Sequence, residues 1–168
     1  MLKAEIIKMA TQLGLTEPTV LPETNLFNSF FLRAELFNQS FIHIRKDVGR
    51  SKKDHAIHEI GHLHLKEYLG SAIKKGEFKK LFGNPDEAYP GAWDLFDLLP
   101  SSSDWEKEEK LPEFITLYAQ SHPEEDYAET FVVAWKQVKS KKTKSYRNKR
   151  LDEKVKTVKR WIKETMKR

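Results

Sequence analysis

The pentapeptide His58-Glu59-Ile60-Gly61-His62 constrains the fold most strongly, because its chemistry requires a helix. Residues four apart on a helix lie on one face, about 5–6 Å apart, so His58 and His62 can reach the same metal ion. Catalytic zinc has three protein ligands and an open position for water. Glu59 directly follows the first histidine and can reach that water. Because this short pattern also occurs by chance on surface helices, the metal interpretation requires a third ligand elsewhere.

The residues around this pattern predict a helix that packs against a core. Ser51 and Asp54 have the spacing of a capping box at its start. An apolar face follows at helical spacing, formed by Ala56, Ile60 and Leu63. A glycine inside a helix costs about 1 kcal/mol relative to alanine. Close approach of another backbone, or of the metal site, is a physical reason for this glycine.

Composition predicts one globular domain over residues 1–168. The chain has 10 Phe, 5 Tyr and 4 Trp for a core, and it has no cysteine, so a zinc site must use His, Asp or Glu. No apolar stretch approaches the roughly 18 residues of a membrane span, and we expect none. The N-terminus lacks the apolar segment of a signal peptide. The sequence as it stands predicts a cytoplasmic protein, or an exported one if a leader has been removed.

Positive charge is concentrated near the C-terminus. The net charge is +5, and residues 137–150 are densely basic. We interpret them as a solvated linker, although a patch for an anionic surface is an alternative. No nucleic-acid-binding motif accompanies them, so we expect no nucleic-acid partner. Residues 148–166 are then predicted to form an amphipathic terminal helix, with lysines facing water and apolar residues at Leu151, Val155, Val158, Ile162 and Met166.

The remaining elements indicate an α+β fold that is mostly helical, with a small antiparallel sheet. Residues 2–13 and 72–82 have the apolar spacing of helices. Residues 30–37 alternate between apolar and polar, and residues 41–45 follow a turn as the return strand of a hairpin. The role of the insert 65–117 is not assigned by its sequence.

A second helix over residues 121–138 carries the candidate third ligand. Ser121 and Glu124 have capping-box spacing, and an apolar stripe runs along the helix. Glu125 and Glu129 lie one turn apart at the edge of that stripe. Burying two carboxylates is costly unless they are paired or bound to metal. The alternative is an exposed, mildly repulsive acidic pair.

Together, the two helices resemble those of the gluzincin metallopeptidases, a zincin-like group. A helix with H-E-x-x-H is followed by one with E-x-x-A-E, as in relatives of anthrax lethal factor and the bacterial Pro-Pro endopeptidases. The block Pro123-Glu-Glu-Asp-Tyr-Ala-Glu-Thr-Phe131 is also similar to that of bacterial zinc metallopeptidases. The resemblance covers about a quarter of the chain.

This resemblance implies a role for each matching residue. Glu125 would be the third zinc ligand beside His58 and His62, and Glu129 would orient a ligand histidine, His58. Tyr118 lies seven residues before Glu125, where the group has a tyrosine that reaches the open side of the metal. Its alternative role is a core aromatic beside Phe114 and Leu117.

The sequence therefore predicts a monomeric zinc metalloendopeptidase that binds one zinc ion per chain and hydrolyses peptide bonds through a metal-activated water. Glu59 would act as the base, and Tyr118 would stabilise the oxyanion. By similarity to zincins, a peptide or protein substrate would pair with an edge strand, for which we choose residues 41–45, including Phe41, His43 and Arg45. The alternatives are a regulatory protease of the ImmA/IrrE type, which acts on one partner protein, and a basic binding protein with a vestigial site.

Overall fold

The computed structural model describes residues 2–21, 30–34, 39–43, 52–68, 72–84 and 110–167. These residues form five α-helices and three short strands. In chain order the elements are α1 (Leu2–Gln12), β1 (Thr19–Val20), β2 (Phe30–Ala34), β3 (Gln39–His43), α2 (Lys52–Tyr68), α3 (Ala72–Phe82), a 3-10 turn (Tyr118–Gln120), α4 (Pro123–Ser140) and α5 (Lys149–Thr165). The prediction of a mostly helical chain is confirmed.

Helices α2 and α4 pack against each other in antiparallel orientation. Asp54, near the start of α2, pairs with Lys136 near the end of α4 at 2.7 Å. At the other end, Lys66 pairs with Glu124 at 3.1 Å. Gly61 lies between these contacts, and a Cβ atom built on it would lie 3.2 Å from the Ala128 Cα. The glycine therefore permits the close backbone approach that its position in the sequence suggested.

The core forms around these two helices, because α1 packs on α2 and α5 packs on α4. Aromatic rings fill its centre, and Tyr127 on α4 lies between rings from α3 and α5. The largest buried side chains of the core are Ile6, Leu13, Ile57, Ile60, Phe78, Phe82, Tyr127, Phe131 and Trp161. Removing these apolar surfaces from water is the main favourable term in folding.

The three strands form a mixed sheet, so the prediction of an antiparallel one requires correction. β2 and β3 pair antiparallel, with Phe31 opposite Ile42. β1 pairs with β3 in parallel, with Val20 opposite Ile42, which gives the order β1-β3-β2. We did not predict β1 from the sequence, because a two-residue strand is too short to show an alternating pattern. β3 is therefore the central strand.

The ends of α4 and α5 differ from the predictions in detail. His122, rather than Ser121, is the N-cap of α4, and its side chain accepts a hydrogen bond from the Glu124 backbone N–H at 3.2 Å. α4 continues to Ser140, so the connection to α5 is shorter than the predicted linker 137–150. Asn148 caps α5 by accepting a hydrogen bond from the Leu151 N–H at 3.0 Å.

Among the described helices, none combines the length and apolar character required to cross a membrane.

Candidate metal centre

Three side chains from α2 and α4 bring potential metal-binding atoms together. The Nε2 atoms of His58 and His62 lie 3.2 Å apart. Glu125 Oε2 lies 3.0 Å from the first nitrogen and 3.4 Å from the second. His58 and His62 are buried, and the Glu125 side chain is 20% exposed. This arrangement gives two imidazole nitrogens and one carboxylate oxygen at the edge of the helix pair.

The chemistry of these atoms fits a zinc ion. With ligand bonds of about 2.0–2.1 Å, the atoms at two corners of a tetrahedral zinc site are about 3.3 Å apart. The three observed separations, 3.0, 3.2 and 3.4 Å, lie close to that value. Glu125 Oε2 is buried and faces the Nε2 atoms of both histidines. Lone pairs that converge in this way require a cation, either a proton on an imidazole or a metal ion.

Glu129 fixes which nitrogen of His58 faces the other two ligands. The His58 Nδ1–H can donate to Glu129 Oε1 at 2.9 Å, and both side chains are buried. This contact leaves Nε2 as the atom with a free lone pair toward Glu125. Such a partner orients a ligand histidine and increases its basicity. The structure thus places the Glu129 carboxylate in contact with the His58 ring.

The carboxylates also control the protonation of His58. Burial alone would lower its pKa, but the hydrogen bonds with Glu125 and Glu129 outweigh burial and raise that pKa to about 10. For Glu125, burial would raise the pKa, but the contacts with His58 and His62 hold it well below its usual range. Because metal ligands must be deprotonated, metal binding at His58 would have to compete with the proton that this raised pKa favours.

The two adjacent glutamates have different environments, which distinguishes their roles. Glu125 Oε2 lies between the two histidines, whereas Glu124 Oε1 lies 3.1 Å from Lys66 Nζ at the outer end of the helix pair. In the sequence these neighbours differ only in register, because Glu125 has Glu129 one turn later and Tyr118 seven residues before it. A one-residue step turns a helix by about 100°, so Glu125 reaches the histidines whereas Glu124 reaches Lys66.

Glu59 is 3% exposed and lies beside the three candidate ligands. Burial raises the pKa of Glu59 to about 7, although the nearby His58 and His62 act in the opposite direction. A carboxyl group with a pKa near neutrality is suited to accept and return a proton. The burial of this charged residue on α2 is therefore consistent with a chemical role.

Tyr118 lies beside the centre and is partly exposed. Its ring centroid is 6.0 Å from that of His58, and the residue is 39% exposed. The 3-10 turn that carries Tyr118 is held by Ser121, whose Oγ donates to the Tyr118 carbonyl at 2.8 Å. Desolvation of the phenol and the nearby Glu125 carboxylate raise the pKa of Tyr118 above its usual value. The phenol therefore keeps its proton at neutral pH and can donate a hydrogen bond.

The predicted substrate strand is not an edge strand, which corrects that prediction. Phe41 and His43 lie on β3, between β1 and β2, and Arg45 lies outside the described residues. Backbone groups of residues 41 and 42 face strands on both sides. A substrate peptide therefore cannot add to β3 along these residues. The side chains of Phe41 and His43 are not described, and most of the insert 65–117 also lies outside the described residues.

A buried ion pair next to the centre was not predicted from the sequence. Lys154 on α5 is fully buried, and its Nζ lies 2.5 Å from Asp126 Oδ2. We expected the α5 lysines to face water, but Lys154 follows Leu151 by three positions and precedes Val158 by four. These spacings place it on the apolar face of the helix, which was the signal available.

Comparison with known protein families also indicates a zinc-binding metallopeptidase. The model of the family described as "Putative zinc-binding metallo-peptidase" matches residues 45–166. Uncharacterized proteins of Mycobacterium bovis and Mycobacterium tuberculosis are 34% identical to this chain over 83 residues. The match covers 49% of this chain and 23% of each mycobacterial protein. No significant match to a solved structure was found.

Proposed function

Given that this chain belongs to that zinc-binding metallo-peptidase family, we propose that it is a zinc-dependent endopeptidase that binds one zinc ion through His58, His62 and Glu125. The observation that carries the proposal is the convergence of these three ligand atoms from two helices, all within 4.8 Å of one another. The zinc-like separations and the position of the buried Glu125 oxygen between the two imidazoles support it further. A peptide or protein substrate follows from the peptidase family.

In this proposal the residues around the ligands divide the chemistry among them. Bound zinc would act as a Lewis acid, polarising the scissile carbonyl and lowering the pKa of a water molecule. Glu59 accepts a proton from the attacking water and delivers it to the leaving amine. Tyr118 donates its phenol hydrogen to the carbonyl oxygen as negative charge develops there. Glu129 holds the His58 ring in the tautomer that directs Nε2 toward the centre.

In this proposal the substrate binds along β2 rather than along β3, the strand predicted from the sequence. β3 lies between two strands, whereas β1 and β2 are the outer strands of the described sheet; β2 is the longer of these and contacts α2. An extended peptide can add to such an edge through backbone hydrogen bonds. We expect the substrate to run along Phe30–Ala34, next to the helix that carries both histidines.

The test combines metal analysis with peptide cleavage. The purified protein is analysed for zinc by mass spectrometry, and a peptide library is treated with wild type, Glu59→Gln and Glu67→Gln. Glu67 is the matched control, because it lies on the same helix and accepts a hydrogen bond from the Thr16 N–H at 2.9 Å, away from the centre.

Wild type should carry close to one zinc ion per chain. Glu59→Gln should retain the metal but lose about 10²–10⁴-fold in kcat/KM, because general-base catalysis contributes about that much. Glu67→Gln should match wild type. Substoichiometric zinc, or equal cleavage by wild type and Glu59→Gln, would refute the proposal.

A further inference from the structure

The buried pair of Asp126 and Lys154 joins α4 to α5 directly behind the candidate centre. Asp126 is the neighbour of Glu125, and its Oδ2 lies 2.5 Å from Lys154 Nζ. Both side chains are at most 1% exposed. Replacing such a pair by apolar residues is often neutral or stabilising, so stability alone is a weak reason for its presence. Its other contacts indicate a more specific role.

Lys154 also holds the segment that carries Tyr118. We call residues 110–121 the tyrosine arm. Lys154 Nζ donates to the Glu113 carbonyl at 3.2 Å and lies 4.4 Å from the centroid of the Phe114 ring. A cation within about 6 Å of an aromatic face is attracted to it, more strongly where water is excluded. One ammonium group thus connects α4, α5 and the arm.

The arm has internal hydrogen bonds that can transmit this anchoring to Tyr118. The Leu111 N–H donates to Gln120 Oε1 at 2.5 Å, and the Ala119 N–H donates to Thr116 Oγ1 at 3.1 Å. Ser121 Oγ donates to the Tyr118 carbonyl. These bonds close the arm on itself over residues 111–121. Fixing Glu113 and Phe114 therefore restricts where the exposed Tyr118 can lie.

We propose that Asp126 and Lys154 are positioning residues, which hold the tyrosine arm so that Tyr118 lies over the centre formed by His58, His62 and Glu125. The catalytic part of this inference rests on the proposed function, whereas the anchoring of the arm does not. Asp126 orients the ammonium group from α4, next to Glu125. The Lys154 ammonium group then fixes the arm relative to α4, the helix that carries Glu125.

The first test measures the arm directly by hydrogen–deuterium exchange, without reference to activity. Lys154→Met should make the amides of residues 111–121 exchange at least about tenfold faster, since each tenfold corresponds to 1.4 kcal/mol of local opening free energy. Lys156→Met is the matched control, because Lys156 is an exposed lysine of the same helix that pairs with Asp152 at 2.7 Å. Val158→Ala controls for general destabilisation, because Val158 belongs to the main core cluster, which includes no residue of the arm.

A double variant separates anchoring from stability. Asp126→Asn combined with Lys154→Met leaves no unpaired buried charge, so it should unfold at a higher temperature than Lys154→Met alone. Exchange in the arm should nevertheless remain fast, because the contacts with Glu113 and Phe114 are still missing. Exchange in the arm that matches wild type in Lys154→Met, or that increases equally in Val158→Ala, would overturn the anchoring.

The second test asks whether Lys154 acts through Tyr118. The kcat of Lys154→Met, Tyr118→Phe and the double variant are compared with wild type at saturating zinc. If the lysine acts by positioning the phenol, Lys154→Met lowers kcat with little change in zinc content. Adding it to Tyr118→Phe then lowers kcat less than about twofold further. Additive losses would overturn the positioning role, whereas an inactive wild type with an anchored arm would refute only the proposed function.

Discussion

Replacing Gly61 by alanine tests whether close packing of α2 and α4 sets the geometry of the centre. Two effects oppose each other. Alanine gains about 1 kcal/mol of helix propensity over glycine. The new Cβ, however, would lie 3.2 Å from Ala128 Cα and 3.2 Å from Phe131 Cβ, closer than ordinary contacts of 3.4–4 Å. Both neighbours are fully buried, and the Phe131 ring stacks on Trp135.

Because one neighbour is backbone and the other a confined ring, we expect the helices to separate by a few tenths of an ångström. Overpacking of this kind costs about 1–3 kcal/mol, so the net loss is about 1 kcal/mol. For a chain of this size, that corresponds to a decrease in Tm of about 2–4 °C. The same separation exceeds the roughly 0.2 Å tolerance of metal–ligand distances, so zinc affinity should also fall.

Thermal unfolding with and without zinc measures both effects, and Gly76→Ala provides the matched control. Gly76 lies on α3, and a Cβ there would have no neighbour within 4 Å. This variant should gain up to about 1 kcal/mol from helix propensity alone. If Gly61→Ala is stabilised as much as Gly76→Ala and binds zinc as tightly as wild type, the reasoning from helix contact is refuted.

Three further outcomes follow from the same geometry. Glu129→Gln should weaken zinc binding by about 10–100-fold, because it loses the charged acceptor that orients His58, whereas Glu124→Gln should leave zinc binding unchanged. Competition with a chromogenic chelator measures the zinc affinity of both variants. Equal effects of the two substitutions would contradict the role of Glu129 as the partner of His58. Tyr118→Phe should lower kcat by about 10²-fold, which is comparable to the loss of one oxyanion donor, and should leave the zinc content unchanged. An unchanged kcat would exclude the Tyr118 phenol from the reaction. Removing zinc with a chelator should lower Tm, and adding zinc again should restore it, because a metal that binds only the folded state stabilises that state. A Tm that does not depend on zinc would argue against a zinc site in the folded protein.

The helices that carry the candidate centre could be predicted because their signals are local. The spacing of His58 and His62, and of Glu125 and Glu129, has a geometric meaning as soon as a helix is assumed. The apolar stripes predicted those helices from neighbouring residues alone. The order of the strands could not be predicted in the same way. Whether β3 is central or at an edge depends on β1, a two-residue strand that pairs from more than twenty positions away.

The sequence by itself determined the kinds of side chain available: two imidazoles one turn apart, acids one turn apart on a later helix, and no thiol as an alternative. The tertiary structure decided which of these atoms meet. Glu125 faces the histidines and Glu124 does not, because the packing of α2 on α4 at Gly61 fixes the rotation of one helix against the other. The same packing buried Lys154 beside Asp126. Such contacts depend on distances between segments remote in the chain, which no local pattern specifies.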